Sequence, residues 1–336
     1  MYDPAMTELL ALTPEELAEL LGGTGRARAV WRAMLQGKDP FEDSELSRPL
    51  RARLRAQTFP TPFFEERRDV ATCGTTKLRL VLADKKRIET VLIPSKRRTT
   101  VCVSTQSGCA HGCVFCLTAT MGLERGLTVG EIVGQVLLAM REAHLPAIRN
   151  VVFMGMGEPL DNLDAVRKSV AVLCDPSGLA LGPTHITLST VGTTPAAILA
   201  TRDLPVQLAW SLHAVDDALR RRLVPTMRHS TESLRQAFLD RLSESGGSLF
   251  VEMTLMDGVN DALHHADELV AFLAPFSPSV RVNLLPMNAG REGFCASSAP
   301  RVAAFRQRIR DGGLFCTIRR PRGVEASAAC GQLAIG

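Results

Sequence analysis

The stretch Thr100-Val-Cys102-Val-Ser104-Thr-Gln-Ser-Gly108-Cys109-Ala-His111-Gly112-Cys113-Val-Phe115-Cys116 decides how the rest of the chain is read. It begins as a strand, with Val101 and Val103 on one face and Thr100, Cys102 and Ser104 on the other. It ends as a loop whose three thiols follow a C-x3-C-x2-C pattern, with Gly108 and Gly112 permitting the tight turns that aim all three at one centre. Downstream, apolar strand candidates recur at 150–154, 185–189, 206–211, 249–255, 280–285 and 314–318. Helical stretches separate them. In 128–143, Thr128 and Glu131 can form a capping box, and Val129, Ile132, Val133, Val136, Leu137 and Met140 make an apolar stripe. Strand alternating with helix means a parallel α/β sheet. Six such units and a last strand fit an open or partial (β/α)6 barrel better than a two-layer sheet.

Upstream the pattern changes. Residues 13–57 look helical, starting at Thr13-Pro-Glu-Glu and continuing through Ala27, Val30, Trp31, Met34 and Leu35 at helical intervals. From Val70 onward short alternating segments follow, at 76–82 and 88–93, separated by the basic turns at 84–87 and 95–98. The expected organisation is therefore a helical module at 1–60, a β segment at 61–98 and an α/β core at 99–336. The net charge of +4 lies within the first hundred residues, the remainder being balanced. A pI near 8.6 falls short of the value usual for a dedicated nucleic-acid-binding domain. With 46% hydrophobic and 22% charged residues, disorder and collagen are excluded. No apolar run long enough to span a bilayer occurs, and Met1–Leu17 lacks a signal-peptide pattern, so a cytoplasmic protein is expected.

Unusual polar or glycine-rich clusters follow the strand candidates: 108–116, 155–158, 189–192, 211–213, 257–260 and 287–288. In a parallel barrel the carboxyl ends of the strands share one face, where active sites are built. Nine cysteines, clustered rather than spread as a framework, point to metal or redox chemistry. Three local thiolates leave one iron of a cluster open to a ligand, whereas a structural zinc site would need His111 or a distant cysteine as a fourth donor. The first reading is preferred, and the second stays open. Cys102 and Cys330, far apart in the chain, would each pass as a buried small hydrophobe. Gly157 and Glu158 permit close approach to a ligand and offer an acceptor for an amine or ribose hydroxyl. His213 and Asn288 gain weight only by sharing that edge.

Taken in order, CVSTQSGC at 102–109, FC at 115–116, VVFMGMGEPLDN at 151–162, SLH at 211–213 and AACGQL at 328–333 resemble the RlmN/Cfr-type radical S-adenosylmethionine RNA methyltransferases, nearly end to end. The resemblance implies a partial barrel behind a small RNA-binding helical module. It implies that Cys109, Cys113 and Cys116 hold a 4Fe-4S cluster, with Gly157, Glu158, Ser189, Ser211, Leu212, His213 and Asn288 contacting S-adenosylmethionine. Cys330 would carry a methyl group, Cys102 would release the product by leaving a disulfide, and Glu89 would be the proton acceptor. Without the resemblance, Glu89 reads as a solvent-facing strand residue. RNA, ribosomal and also transfer RNA, would be the substrate, with carbon-2 of adenine favoured over carbon-8, and a flavodoxin-type or other one-electron reductant as partner. Arg26, Arg28, Arg32, Lys96–Arg98 and Arg319–Arg322 are candidates for phosphate contacts. A non-catalytic metal-containing RNA-binding protein is the alternative of another class. The chain departs from the family at Thr226–Ser230, where an Asn and then a Tyr are usual, and at Asn288–Cys295; both departures would bear on the RNA target.

Overall fold

A computed structural model describes residues 6–42, 45–59, 63–142, 147–288 and 293–335. Ten strands form one sheet: β1 (Phe63–Val70), β2 (Thr76–Leu82), β3 (Arg87–Pro94), β4 (Thr99–Cys102), β5 (Ile148–Phe153), β6 (Ile186–Thr190), β7 (Gln207–Ser211), β8 (Leu249–Leu255), β9 (Val280–Pro286) and β10 (Phe315–Ile318). They lie in chain order across it. β1 to β4 pair antiparallel, and every pairing from β4 to β10 is parallel. Among the described residues β1 and β10 do not pair, so the barrel is partial, as expected.

Three helices make up the front: α1 (Pro14–Leu21), α2 (Thr24–Leu35) and α3 (Arg48–Gln57). Thr13 caps α1 through the box it forms with Glu16. Leu17, Leu21, Val30, Trp31 and Leu54 are buried there, in a core continuous with that of the barrel. A short parallel pair, Thr7–Glu8 with Thr58–Phe59, ties the two ends of this unit together. The strand at 63–70 escaped the sequence pattern because Phe-Phe-Glu-Glu-Arg-Arg-Asp-Val is an exposed edge with charges on both faces.

Helices connect the parallel strands: α4 (Val129–Met140), α5 (Leu163–Cys174), α6 (Pro195–Leu199), α7 (Asp217–Leu223), α8 (Thr231–Ser245), α9 (Leu263–Leu273) and α10 (Ala299–Asp311). The capping box expected at Thr128 and Glu131 is formed. Ala143, at the end of the stretch read as helical, lies outside the described residues, as do 289–292 of the atypical Asn288–Cys295 segment.

Register across the sheet places Ser211, Glu252, Asn283 and Thr317 opposite one another, a polar row near the carboxyl ends of β7 to β10. Asn283 Nδ2 donates to Glu252 Oε1 at 2.8 Å, and Thr317 Oγ1 donates to Asn283 Oδ1 at 2.7 Å. Glu252, Asn283 and Thr317 thus satisfy one another, and that keeps the cost of polar groups inside the barrel small.

Candidate active site

One cavity opens at the carboxyl ends of the parallel strands, where five of the six polar clusters of the sequence converge; the sixth, 257–260, does not line it. Cys109, Cys113 and Cys116 line it together with Cys330. The cysteine loop leaves a short strand at Gln106–Gly108 and is anchored by its own backbone. Cys109 N–H donates to Gly122 O at 2.9 Å, Val114 N–H to Leu223 O at 3.0 Å and Cys116 N–H to Cys113 O at 3.1 Å. Gly108 has a φ of 76°, and a Cβ there would stand 1.8 Å from the Gly122 carbonyl oxygen, so only glycine admits this loop entry.

Among the described residues no three His, Cys, Asp or Glu side chains gather closely enough to hold one metal ion. A 4Fe-4S cluster asks something different, because each thiolate takes its own corner and the three must stand apart around a shared cavity. Cys109, Cys113 and Cys116 all line the one cavity. His111 could complete a zinc site only with a ring nitrogen to spare. Its Nδ1 lies 2.7 Å from Thr226 Oγ1 and its Nε2 2.8 Å from Asp161 Oδ2. Thr226 belongs to the segment that departs from the family pattern, and its contact is with the cysteine loop.

Of the residues expected to contact S-adenosylmethionine, Gly157, Glu158, Ser189, Ser211, His213 and Asn288 all line the cavity. Leu212 does not. Its side chain is fully buried in the hydrophobic core, leaving only its backbone for such a contact. Gly157, with a φ of 97°, packs against Gln106, whose Cβ would lie 2.6 Å from an added Cβ. Glu158 is held rigidly: Oε2 accepts from Val191 N–H at 2.9 Å and Oε1 from Leu160 N–H at 3.0 Å. Burial raises its pKa in spite of those bonds. Ser189 and Ser211 hydroxyls stand 3.3 Å apart.

His213 Nδ1 accepts from Thr254 N–H at 3.1 Å, and its ring meets Phe115 edge-on at 4.5 Å between centroids. Burial, with Arg220 nearby, pushes its pKa down to about 3, so the ring is neutral and leaves Nε2–H as a donor. Arg220 is itself buried beneath the loop, donating to the carbonyls of Leu212 at 3.0 Å and of Val191.

Glu89 overturns the expectation that strand pattern alone gives. It is fully buried, because Lys77 and Arg79 of β2 and the C-terminal segment cover the face of β3 that would otherwise meet solvent. Lys77 Nζ lies 3.1 Å from its carboxylate, and Ala334 N–H donates to Oε2 at 3.1 Å. Burial raises its pKa against the pull of these cations. Glu89 lies outside the cavity. The C-terminal segment runs between, with Cys330, Gly331 and Leu333 facing the cavity and Gln332 and Ala334 facing a cleft lined by Lys77 and Arg79.

Cys102 is buried, and burial pushes its thiol up to about 12, whereas Cys330 lines the cavity as an exposed residue. Cys330 is also among the groups that raise Cys102, so the two sulfurs share one neighbourhood although 228 positions separate them in sequence. Among the cavity residues that escaped the sequence reading are two polar ones on a barrel strand. Glu252 and Thr254 sit in Leu249–Leu255, read as one apolar run; Phe250, Glu252 and Thr254 form its second face, and the period of two was the available signal. Of the cationic candidates, Arg26 caps α1 through Leu21 O, and Arg32 pairs with Glu45. Arg28 is exposed, as are Lys96–Arg98 and Arg319–Arg322. The last two runs meet, Arg322 Nη1 donating to Pro94 O.

The chain matches a model of the Radical SAM superfamily over residues 103–272. It is 41% identical to the dual-specificity RNA methyltransferase RlmN of Magnetococcus marinus, covering 99% of this chain and 96% of that one. Against the ribosomal RNA large subunit methyltransferase N of Nitrosopumilus maritimus, identity is 39% over 98% of both. A crystal structure of a radical SAM methyltransferase from Sphaerobacter thermophilus superimposes with a TM-score of 0.91 at 39% identity, covering 97% of this chain and 99% of that chain. No helix among the described residues is long and apolar enough to cross a membrane. A superfamily whose members generally use S-adenosylmethionine and a 4Fe-4S cluster accounts for a cavity walled by three cysteines, and the chain belongs to it, as a radical SAM RNA methyltransferase of the RlmN family.

Proposed function

We propose that the chain methylates carbon-2 of an adenine in RNA, in ribosomal RNA and also in transfer RNA, through a methyl group carried on Cys330. The observation that carries this reading is that Cys330 faces the same cavity as Cys109, Cys113 and Cys116, with Cys102 buried beside it. An aromatic ring carbon is neither acidic nor nucleophilic, so direct transfer from a sulfonium meets a prohibitive barrier, and a carbon radical on a tethered carrier avoids it. Cys109, Cys113 and Cys116 would hold a 4Fe-4S cluster, and Glu158, Ser189, Ser211, His213 and Asn288 would position S-adenosylmethionine. Once bound, that pair supplies a methyl group and, after one-electron reduction, a radical able to abstract hydrogen.

The chain's own residues do the rest. Cys330 Sγ holds the methyl carbon against the ring. Glu89 takes the proton from the ring carbon, burial raising its pKa and so its strength as a base. Because Ala334 N–H now occupies Glu89, the C-terminal segment shifts before the base meets the ring. The adduct gives up its unpaired electron, which the cluster, when bound, would accept; Cys102, as thiolate, then attacks Cys330 Sγ, the bond from that sulfur to the adduct breaks, a proton is taken up at the departing carbon, and a Cys102–Cys330 disulfide remains for a reductant to reopen. A flavodoxin-type or other one-electron donor would serve the cluster. The helical front unit at 1–60, the β segment at 61–98 and the adjoining runs Lys96–Arg98 and Arg319–Arg322 would grip the RNA backbone, with the target base unstacked into the site.

Mass spectrometry of digested ribosomal and transfer RNA from a deletion strain tests this reading. Loss of 2-methyladenosine, restored by the wild-type gene, is the expected result. Unchanged methyladenosine, or loss of the carbon-8 isomer, would overturn it.

A further inference from the structure

The loop that bears the cluster cysteines continues past Cys116 into Leu117 and Thr118, and both residues reach the C-terminal segment. Leu117 N–H donates to Gly331 O at 2.8 Å. Thr118 Oγ1 donates to Leu333 O at 2.6 Å, in a bond with no solvent around it. Gly331 has a φ of 79°, and a Cβ there would lie 3.4 Å from the Phe115 carbonyl oxygen, so the segment rests directly on the loop. Asn288 Nδ2 adds a third contact, to Cys330 O at 3.0 Å. Three carbonyls in the short run 330–333 thus find their donors on the rim of the cavity. Of these donors Thr118 is a buried side chain outside the cofactor-contacting set, and its place two residues after Cys116 makes the cysteine loop and the docking of Cys330 one structural unit.

We propose that Thr118 is a positioning residue for Cys330: its hydroxyl docks the C-terminal segment onto the cysteine loop and so fixes where the Cys330 sulfur stands. The proposal rests on the reading of Cys330 as methyl carrier for its consequence, though not for the contact itself. Thr118→Val keeps the shape and removes the donor, stranding the Leu333 carbonyl, whereas Thr118→Ser keeps the donor. A packing role would be preserved by valine; a docking role would be preserved by serine.

Two readouts separate the cases. In cofactor-free protein, hydrogen exchange of the peptide 328–335 should speed up about tenfold in Thr118→Val and remain as wild type in Thr118→Ser. In reconstituted protein incubated with S-adenosylmethionine, the methylated Cys330 peptide should fall about tenfold in Thr118→Val at unchanged iron and sulfide content, with serine restoring it. Should valine unfold the loop, Thr118→Ala against Thr118→Ser gives the same comparison. Exchange in Thr118→Val at the wild-type rate, or Cys330 methylation at the wild-type rate, overturns the proposal. A wild-type Cys330 that never carries a methyl overturns the carrier reading alone, and the exchange comparison then decides the docking contact by itself.

Discussion

The floor of the cavity and the segment that covers it are held in different ways. On the floor, Glu158 is bonded through both oxygens to backbone N–H groups, His213 accepts from Thr254 and supports Asn260 through its carbonyl, and Glu252 accepts from Asn283, which in turn accepts from Thr317. Apart from the local Leu160 bond, these join neighbouring parallel strands or the loops that directly follow them. The cover, residues 319–335, is tethered by scattered contacts. Glu325 reaches Thr72 from solvent, Arg322 reaches Pro94, Thr118 holds Leu333, and Ala334 sits on Glu89. Binding a cofactor calls for a preorganised floor, while bringing a base against the Cys330 sulfur calls for a cover that moves at small cost.

The hardest test of that division targets the two sulfurs, one on each side of it. Cys330→Ala should abolish RNA methylation, by about a hundredfold or more, and leave no protein bound to RNA, because the carrier is gone before an adduct forms. Cys102→Ala should cut turnover as deeply yet trap the chain covalently on RNA, seen as a shifted band that survives denaturation. Normal turnover by Cys102→Ala would remove the release role. A smaller effect separates floor from cover by stability. Glu158→Ala strands one buried and one half-buried N–H group and should cost about 2–4 kcal/mol in cofactor-free protein, measured by denaturant titration. Glu325→Gln, at the exposed edge of the cover, should leave the unfolding midpoint where it was. Equal losses in the two variants would erase the distinction.

The floor was largely legible in the sequence, and the cover was not. Strand followed by polar cluster is a local pattern, so Gly157, Glu158, Ser189, Ser211, His213 and Asn288 could be assigned to one edge before any coordinate was known. Glu252 slipped through because an apolar run drew attention away from its alternate face. Glu89 is the clearer failure. Its burial comes from Lys77, Arg79 and Ala334, and the last of these lies 245 positions away. Strand periodicity reports which face is apolar, and a carboxylate covered by cations and a backbone N–H leaves no apolar trace. β1 was missed for the same reason in reverse: an edge strand carrying charge on both faces has no alternation to read.

The mildest prediction concerns protons, and it too divides floor from cover. His213 is neutral in the folded chain, its pKa pushed from 6.5 down to about 3, while the unfolded chain takes up its proton near 6.5. Below pH 6.5 the unfolded state therefore binds the extra proton, and stability falls as pH drops towards 3. Between pH 7 and pH 5 the loss from this one ring should be about 2 kcal/mol. Glu325 of the cover has its pKa lowered by its bonds to Thr72, so its contribution is present above 4.5 and is lost only below that, outside the interval. Glu252 runs the other way, since burial raises its pKa and acid relieves the cost of keeping it charged. A single pH profile would mix these, so the difference between wild type and His213→Asn is what isolates the ring. Asparagine tolerates the left-handed backbone at this position, where φ is 62°. Denaturant titrations of cofactor-free protein at pH 7 and pH 5 should then show a drop about 2 kcal/mol smaller in the variant. Parallel pH dependences in the two proteins would mean that the ring is reached by water in the folded chain, and that this part of the floor opens as readily as the cover.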